Sequence, residues 1–322
     1  MPATDLDTAP HPPPPTARRR RPLGKLRRSS APWLFLAPAI VLFVFFLLIP
    51  IGYAIYLSFR GFAVDGGGAF GRRTESFIGF DNYVDALTDP EYLQGLGRVM
   101  IFAVIAIPAV IGLSLMFALL LDTPRVRGRA FSRTAIFLPY AVPAVIASLL
   151  WGFLYLPSTS PVNYIAEQLG GGPLDFFSDP QLYLSLANIA LWSSIGLNMI
   201  IIFTALRSVP TEIYEAARID GANEFQIALR IKIPLVTPAL VLTGMFSVIG
   251  TLQLYSEPAT LRPMTSTISS TWVPLMKIYQ EAFVNDNLGG AAAASVILAV
   301  GILLLSLLIL RVFQRKMFGE QS

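Results

Sequence analysis

The sequence predicts an all-α membrane protein with six transmembrane helices and both termini in the cytoplasm. The chain is 54% hydrophobic and only 14% charged, whereas about 25% of the residues in a soluble domain are charged. Six apolar segments are each long enough for a transmembrane helix, which needs roughly 20 residues to cross the hydrocarbon core of a bilayer. The basic residues concentrate in alternate loops, as expected when those loops face the cytoplasm.

The six predicted spans contain no Asp, Glu, Lys, Arg or His. They cover residues 33–59, 99–121, 135–157, 184–206, 238–255 and 291–310. The first follows a basic stretch, but it is too long for the core of a cleaved signal peptide and has no obvious cleavage site. Pro139 and Pro143 could kink the third span, where each would either line a cavity or serve packing.

The distribution of basic residues predicts the orientation of the chain. Eighteen of the 24 lie in the N-terminal tail, in the loops after spans two and four, and at the C-terminus. We therefore expect a transmembrane domain at 33–313 whose loop at 207–237 is cytoplasmic, and a cytoplasmic C-terminus at 314–322. The proline-rich, basic segment 1–32 is predicted to be a disordered cytoplasmic tail, because like charges and proline cannot bury a core.

The residue inventory excludes several kinds of chemistry. There is no cysteine, hence no disulfide framework and no thiolate metal site. The single histidine, His11, lies in the tail. No stretch has the Gly-rich pattern and Lys-Ser/Thr ending of an ATP phosphate loop. We therefore expect no catalytic residue, no metal site and no cofactor bound by this chain. Nucleic acid is not expected as a partner either, because topology explains where the bases lie.

One charged stretch, YEAARIDGANEFQIALRIKIP (residues 214–234), lies between spans four and five. Pro210 and Thr211 predict the start of a helix, and Gly221 predicts its end, where a positive φ is easy for glycine. Asn223, with Gln226 three residues later, is typical of the cap of a second short helix. The residues alone leave open whether this helical hairpin transmits motion or is merely structural.

The same stretch resembles the EAA loop of ATP-binding-cassette importer permeases. That pattern is Glu-Ala-Ala, three residues, Gly, nine residues, Ile, any residue, Leu, Pro. It falls here on Glu215, Ala216, Ala217, Gly221, Ile231 and Pro234, with Ile233 replacing the usual Leu. Other stretches, among them RTAIFLPYAVPAVIASLLWGFLY and AFVNDNLGGAAAASVIL, resemble the carbohydrate branch, nearest to the subunit type of maltose and glycerol-3-phosphate importers. The likeness runs from about residue 33 to 318.

The resemblance implies the type I permease fold of ABC importers, with the loop as a coupling helix seated in a cytoplasmic ATPase. The coupling residues would be Glu215, Ala216, Ala217, Asp220, Gly221, Ile231 and Pro234. The expected partners are a second permease subunit in a heterodimer, two ATPase subunits, an extracytoplasmic solute-binding protein and the lipid of a bacterial inner membrane. ATP and Mg would be bound by the ATPase, so this chain itself would be non-hydrolytic.

Uncharged spans favour a neutral substrate, and the resemblance implies a sugar, such as a di- or oligosaccharide. Polar and aromatic side chains near mid-membrane would guide it. The candidates in and beside spans four and five are Trp192, Ser194, Asn198, Gln253, Tyr255 and Glu257. Ser, Asn and Gln also tie transmembrane helices together, which leaves a structural role open for them.

Other functions are left open, and one of them is a membrane scaffold or assembly protein with no transport role, although the polar residues of spans four and five argue against it. Glycerol 3-phosphate is an alternative substrate, although no cationic side chain in the predicted spans is placed to receive a phosphate. A secondary transporter driven by an ion gradient is a further alternative. It would be expected to show intramembrane ionisable residues or paired broken helices, and the sequence shows no such pair.

Overall fold

The computed structural model describes residues 31–65, 72–123 and 126–318. The predicted disordered tail therefore lies almost wholly outside the described residues, as do residues 319–322. Within the described part, five helices are long and apolar enough to cross a membrane, or six if one bent pair counts as a single span. The predicted fold class, a helical membrane protein with six spans, is confirmed.

The secondary-structure elements follow one another along the described chain with short connections. The helices are α1 (Ala31–Phe43), α2 (Ile49–Ser58), α3 (Asp81–Thr88), α4 (Pro90–Asp122), α5 (Arg129–Phe137), α6 (Ala144–Tyr155), α7 (Pro161–Gln168), α8 (Gln181–Arg207), α9 (Thr211–Ile219), α10 (Glu224–Ile227), α11 (Ile233–Leu235), α12 (Thr237–Leu252), α13 (Ser256–Leu261), α14 (Pro274–Phe283) and α15 (Leu288–Phe318). The strands are β1 (Arg60–Asp65) and β2 (Arg72–Phe77).

The chain divides into two units, residues 1–51 and residues 52–322. The described part of the first unit is apolar and helical, with a π-helical segment, Val44–Leu48, between α1 and the start of α2. Pro50 follows this segment, and its nitrogen has no hydrogen to donate. We attribute the wider turn to that missing bond and to the bulk of the proline ring.

The long helices α4 and α8 pack along each other at the centre of the second unit. α4 begins firmly because Asp89 caps it, accepting from the backbone N–H of Glu91 at 2.8 Å, with Pro90 in the first turn. Ser114 of α4 donates to the carbonyl of Ile195 in α8 at 3.2 Å. Such hydroxyl contacts let two apolar helices fix their register where water is absent.

The third span is broken. α5 and α6 meet at 98°, with a short 3₁₀ turn, Leu138–Ala141, between them. Pro139 lies within that turn and Pro143 caps α6, so the kink predicted from these two prolines is confirmed. Close packing holds the two halves in place: Gly196 of α8 lies against the backbone of α5, and Gly152 of α6 lies against Leu261 of α13.

On the predicted outer side, β1 and β2 form an antiparallel hairpin in which Arg60 pairs with Phe77. The sequence did not indicate this hairpin. Asn82 of α3 attaches to it, since its amide group donates to the carbonyls of Ser58 at 2.9 Å and Arg60 at 2.8 Å. The outer loop is thus fastened to the end of α2 and the start of β1.

A lysine surrounded by carboxylates joins the outer ends of α4 and α14. The ammonium of Lys277 lies 2.9 Å from Asp89, 3.0 Å from Glu91 and 3.0 Å from Glu281. Burial lowers the pKa of Lys277, but hydrogen bonds to these carboxylates outweigh burial and raise it above its usual range. For Asp89 the signs are reversed, because burial raises the pKa of a carboxyl group. The hydrogen bonds from Lys277 and from two backbone N–H groups outweigh burial and bring the pKa of Asp89 below its usual range.

Candidate functional site: the 207–237 loop and the cavities beside α8

Two short helices joined by a tight turn follow α8. α9 ends at Ile219, and Gly221 has a φ of +84°. Asn223 accepts a hydrogen bond from the backbone N–H of Gln226 at 2.8 Å, and its own N–H donates to the Gln226 side chain at 2.9 Å. The predicted helix end and the predicted cap are therefore confirmed. Arg218 spans the turn to Glu224, with Nε 2.9 Å from Oε1.

The structure separates the predicted coupling residues into two groups. The first group lies on α9 and its turn: Glu215, Ala216, Ala217, Asp220 and Gly221. All of these are exposed except Ala217, which is half-buried. The second group, Ile231 and Pro234, lies in the π-helical segment Ala228–Lys232 and in α11, which lead into α12. In the second group Pro234 is exposed and Ile231 is half-buried.

Apolar side chains accompany that exposed surface. Ile219 is 86% exposed and Phe225 is 72% exposed, one on each side of the turn. Ala216 beside them adds little bulk, so another protein surface can approach the backbone closely. Apolar side chains exposed on both sides of a charged turn are compatible with an interaction surface.

A cavity of about 220 Å³ lies beside α9. Glu215 lines it together with three cationic side chains, those of Arg207, Arg218 and Lys232. The buried Tyr214 also lines it, and its hydroxyl has no hydrogen-bond partner among the described residues. Glu215 therefore faces cations from α8, from α9 itself and from the segment before α12, and the carboxylate of Asp122 lines the same cavity.

A buried ion pair lies at the same place. Lys232 Nζ is 2.5 Å from Asp122 Oδ2, and both side chains are only 6% exposed. Arg207 lies 4.0 Å from the other carboxylate oxygen and is 55% exposed. The ammonium of Lys232 is also 5.0 Å from the centre of the Tyr214 ring, within cation–π range. The end of α4, the end of α8, α9 and the π-helical segment therefore meet at one charge pair.

A second cavity, of about 270 Å³, lies among the apolar spans. Helices α4, α8, α12 and α13 line it, together with Tyr140 of the 3₁₀ turn. Its polar lining residues are Ser193, Ser194, Asn198, Ser247, Thr251 and Glu257. Hydroxyl, amide and carboxylate groups beside aromatic faces provide the hydrogen bonds and stacking that a polyhydroxylated ligand requires.

Three of the six predicted pathway residues line this cavity: Ser194, Asn198 and Glu257. Ser194 donates to the carbonyl of Ala190, and Asn198 donates to that of Ser194 at 3.0 Å, so each also serves its own helix.

The other three predicted pathway residues do not line the cavity. Trp192 packs edge-on against Trp151, Tyr255 packs against Tyr279, and Gln253 is exposed where α12 ends. Their contribution to a pathway stays a prediction.

The cavity also includes residues that the sequence did not single out. Ser193 lies one residue before Ser194, while Ser247 and Thr251 lie on α12. A helical-spacing test would have found them: Ala190, Ser193, Ser194 and Leu197 follow i, i+3, i+4, i+7, and so do Ser247, Gly250, Thr251 and Leu254.

Glu257 changes one expectation. The predicted fifth span ended at residue 255, whereas the span-length helical stretch runs from Thr237 to Met264 and includes Glu257. The predicted span 238–255 is free of charge, whereas this longer candidate span contains a carboxylate. The carboxylate lies on α13, which follows α12 after residues 253–255, and a hydropathy window ending at those polar residues could not include it.

A third cavity, of about 520 Å³, lies at the predicted cytoplasmic ends of spans three and four. Arg133 and Arg207 line it with Thr134 and Thr204. Thr204 and Arg207 follow Leu197 at helical spacing, so the same stripe of α8 passes from the second cavity to this one. The sequence placed both arginines outside the spans and did not indicate that they share a cavity.

Among residues 31–65, 72–123 and 126–318, no group of three or more His, Asp or Glu is placed to hold a metal ion.

Known proteins resemble the chain across nearly its whole length. Residues 86–319 match the family model described as "Binding-protein-dependent transport system inner membrane component". The chain is 31% identical over 289 residues to the sn-glycerol-3-phosphate transport system permease protein UgpA of Agrobacterium fabrum, covering 88% of this chain and 95% of that protein. It is 28% identical over 332 residues to the diacetylchitobiose uptake system permease protein NgcF of Streptomyces coelicolor, covering 98% and 92%.

A solved structure shares the fold. It is a bacterial ABC transporter involved in the import of the acidic polysaccharide alginate, and it matches with a TM-score of 0.73 at 23% identity. The match covers 89% of this chain and 96% of that chain. The expected type I permease fold of ABC importers is therefore confirmed.

Proposed function

The chain belongs to the family of inner membrane components of binding-protein-dependent transport systems, and from this premise we propose that it forms half of the pathway of an ATP-driven sugar importer. One observation carries the proposal: α8 lines the polar cavity with Ser194 and Asn198 and leads directly into the exposed loop at 207–237. A push on the loop therefore has a direct structural route to the cavity.

Coupling to a cytoplasmic ATPase is the role we propose for the exposed surface of α9. Glu215, Ala216, Ala217, Asp220 and Gly221 would contact the ATPase, while Ile231 and Pro234 would set the entry into α12. The exposed Ile219 and Phe225 support this role, because such side chains are usually covered by a partner. ATP and Mg would be held by the ATPase, and this chain would perform no hydrolysis.

The proposed substrate is a neutral di- or oligosaccharide. Ser194, Asn198 and Glu257 would offer it hydrogen bonds, and Tyr140 and Phe246 would offer aromatic faces. Trp192, Gln253 and Tyr255 would contribute only where the pathway extends beyond this cavity. The name of one relative, a diacetylchitobiose uptake permease, supports a sugar.

The proposed assembly contains a second permease, two ATPase subunits and an extracytoplasmic solute-binding protein, in a bacterial inner membrane. Four helices of this chain line the second cavity, and in this assembly another subunit would complete the pathway. Rocking of the two permeases would alternate access.

Glycerol 3-phosphate is a second candidate substrate, favoured by two observations. The relative from Agrobacterium fabrum is named for its transport. Arg133 and Arg207 line the third cavity and could receive a phosphate. Against it, the carboxylate of Glu257 lies in the second cavity and would repel an anion.

Uptake by the native host, with and without this chain, tests the proposal. Cells carrying a deletion and a plasmid copy would be offered radiolabelled N,N′-diacetylchitobiose, maltose or sn-glycerol 3-phosphate. We expect chain-dependent uptake of a sugar that is lost when arsenate depletes ATP. Uptake of glycerol 3-phosphate alone would favour the second candidate.

The same assay tests the alternative of a transporter driven by an ion gradient, in which Glu257 would bind the coupling ion or proton. Chain-dependent uptake that survives ATP depletion but is abolished by a protonophore would overturn the proposal. Glu257→Gln serves as the companion variant, because loss of the titratable group would then abolish concentrative uptake.

A further inference from the structure

We propose that Asp122 and Lys232 are positioning residues for coupling, forming the joint by which the 207–237 loop moves α4. This inference rests on the proposed function and extends it. Through the chain alone, the loop is joined to α8 and α12 but not to α4, which also lines the cavity. The ion pair gives the loop a further attachment, to a helix that is not its neighbour in the sequence.

The pair joins distant parts of the chain. Asp122 is the last residue of α4, and Lys232 is the last residue of the π-helical segment between α10 and α11. The two positions are 110 residues apart in sequence, and their side chains are equally buried. No other described ion pair links α4 to the segment between α9 and α12.

Because both side chains are buried, neither Asp122 nor Lys232 can exchange the other for a different partner. A charge removed from water is stable only while its partner stays in contact, so neither side chain can move without the other. Arg207 cannot replace Lys232, because it lies 4.0 Å away and half of its side chain is in solvent. A buried ion pair is a poor source of stability compared with apolar packing, but it specifies one register between two segments.

α9 packs onto this joint through Tyr214. The buried ring of Tyr214 faces the ammonium of Lys232 at 5.0 Å, one residue before Glu215. A displacement of α9 therefore reaches Lys232 by direct contact and reaches Asp122 through the ion pair.

Two helices that line the second cavity, α4 and α12, would then move together. α4 is a continuous helix that carries Phe102, Ala106 and Val110 into the cavity. α12 carries Phe246 and Ser247 into it from the loop's other end. A helix transmits displacement along its axis, so the loop would act on α12 through the chain and on α4 through the joint.

Distance measurement on the full-length chain in lipid nanodiscs tests the joint without any partner protein. The chain contains no cysteine, so spin labels can be placed at Leu120→Cys in α4 and Phe225→Cys in the loop, both of which are exposed. We expect a single narrow distance in the parent chain. Asp122→Asn or Lys232→Met should abolish that narrow peak, and the charge swap Asp122→Lys with Lys232→Asp should restore it.

Two further variants separate a positioning role from a merely structural one. Asp122→Asn combined with Lys232→Met removes both charges, so we expect thermal stability close to that of the parent chain but no recovery of the narrow distance. Lys277→Met breaks an ion cluster on the opposite side of the protein and should leave the distance unchanged.

A narrow parent-like distance in the doubly neutral variant would overturn the inference, as would a charge swap that fails to restore the peak in a chain that still folds. Neither result bears on the proposed function, which the uptake assay decides separately.

Discussion

The α-carbon of Gly196 in α8 faces the carbonyl oxygen of Ile136 in α5 so closely that a methyl group on it would lie 2.5 Å from that oxygen and 2.6 Å from the α-carbon of Phe137. Both neighbours are backbone atoms, which cannot rotate away. The absence of one side chain therefore fixes how closely the inner half of span three approaches α8.

We predict that Gly196→Ala destabilises the protein by about 1–3 kcal/mol, the usual cost of overpacking a tight interface. Thermal unfolding of the purified chain in detergent measures it. Gly112→Ala is the matched control, because nothing lies within 4 Å of the added methyl group and alanine favours helix by about 1 kcal/mol. Equal melting temperatures for the two variants would contradict the close approach.

Gly221 should tolerate asparagine but not valine. Its φ of +84° is strained for side chains, although the space around it is open. A left-handed conformation costs an ordinary residue about 1–2 kcal/mol, and asparagine adopts it more readily than a β-branched residue. Gly221→Val should therefore lower ATP-dependent uptake more than Gly221→Asn at equal membrane abundance. A reversed order would show that the turn does not require this backbone conformation.

Glu215→Lys should reduce uptake by roughly tenfold, the size of a typical coupling energy between sites, without reducing membrane insertion. The reversal places a fourth cation beside Arg207, Arg218 and Lys232 in the cavity next to α9. Glu212→Lys is the control on the same helix, where the first-turn acid is exposed and does not line this cavity. Wild-type uptake by Glu215→Lys would remove this carboxylate from the coupling surface.

Asn198→Ala should lower sugar uptake by roughly fivefold, because a lost hydrogen bond is worth about 1 kcal/mol. Asn198 lines the second cavity. Ser295→Ala in α15 removes a comparable hydrogen bond within a helix, from Ser295 to Ala291, without touching that cavity. If both variants transport equally, the cavity is not the sugar's route.

The Lys277 cluster should make stability depend on pH at both extremes. The raised pKa of Lys277 means that its contribution is complete below its ordinary value of 10.5 and is lost as pH rises through the higher folded value. The lowered pKa of Asp89 means that its contribution is present above 3.8 and is lost as pH falls through the lower folded value. Melting temperature against pH should show the alkaline loss in the parent chain only, and a smaller acid loss in Lys277→Met, because the two backbone N–H groups still bond to Asp89.

Hydropathy, proline positions and helix-capping patterns predicted the parts of the fold that depend on residues close together in the sequence. Hydropathy located the spans, Pro139 and Pro143 located the break in span three, and the Gly221 and Asn223 signals located the turn between α9 and α10. Each of these features is decided within a few residues of sequence, where backbone sterics and desolvation dominate.

The remaining features depend on contacts between distant segments. Asp122 and Lys232 lie in separate loops of the predicted topology, and nothing local indicates that they pair. Glu257 fell outside a span because the polar residues at 253–255 ended the hydropathy signal before α13. The β1–β2 hairpin depends on pairing across the outer loop, which β propensity alone predicts poorly.

The break in span three assigns its two halves to different neighbours. α5 leans on α8 through Gly196, whereas α6 packs chiefly on α13 through Gly152 and Leu261. An unbroken helix would move as one rigid body. Because span three is broken, α5 can move with α8 while α6 moves with α13. We therefore expect the amide hydrogen exchange rates of α5 to follow those of α8, and the rates of α6 to follow those of α13. One of these helix pairs could then open locally while the other remains protected from exchange.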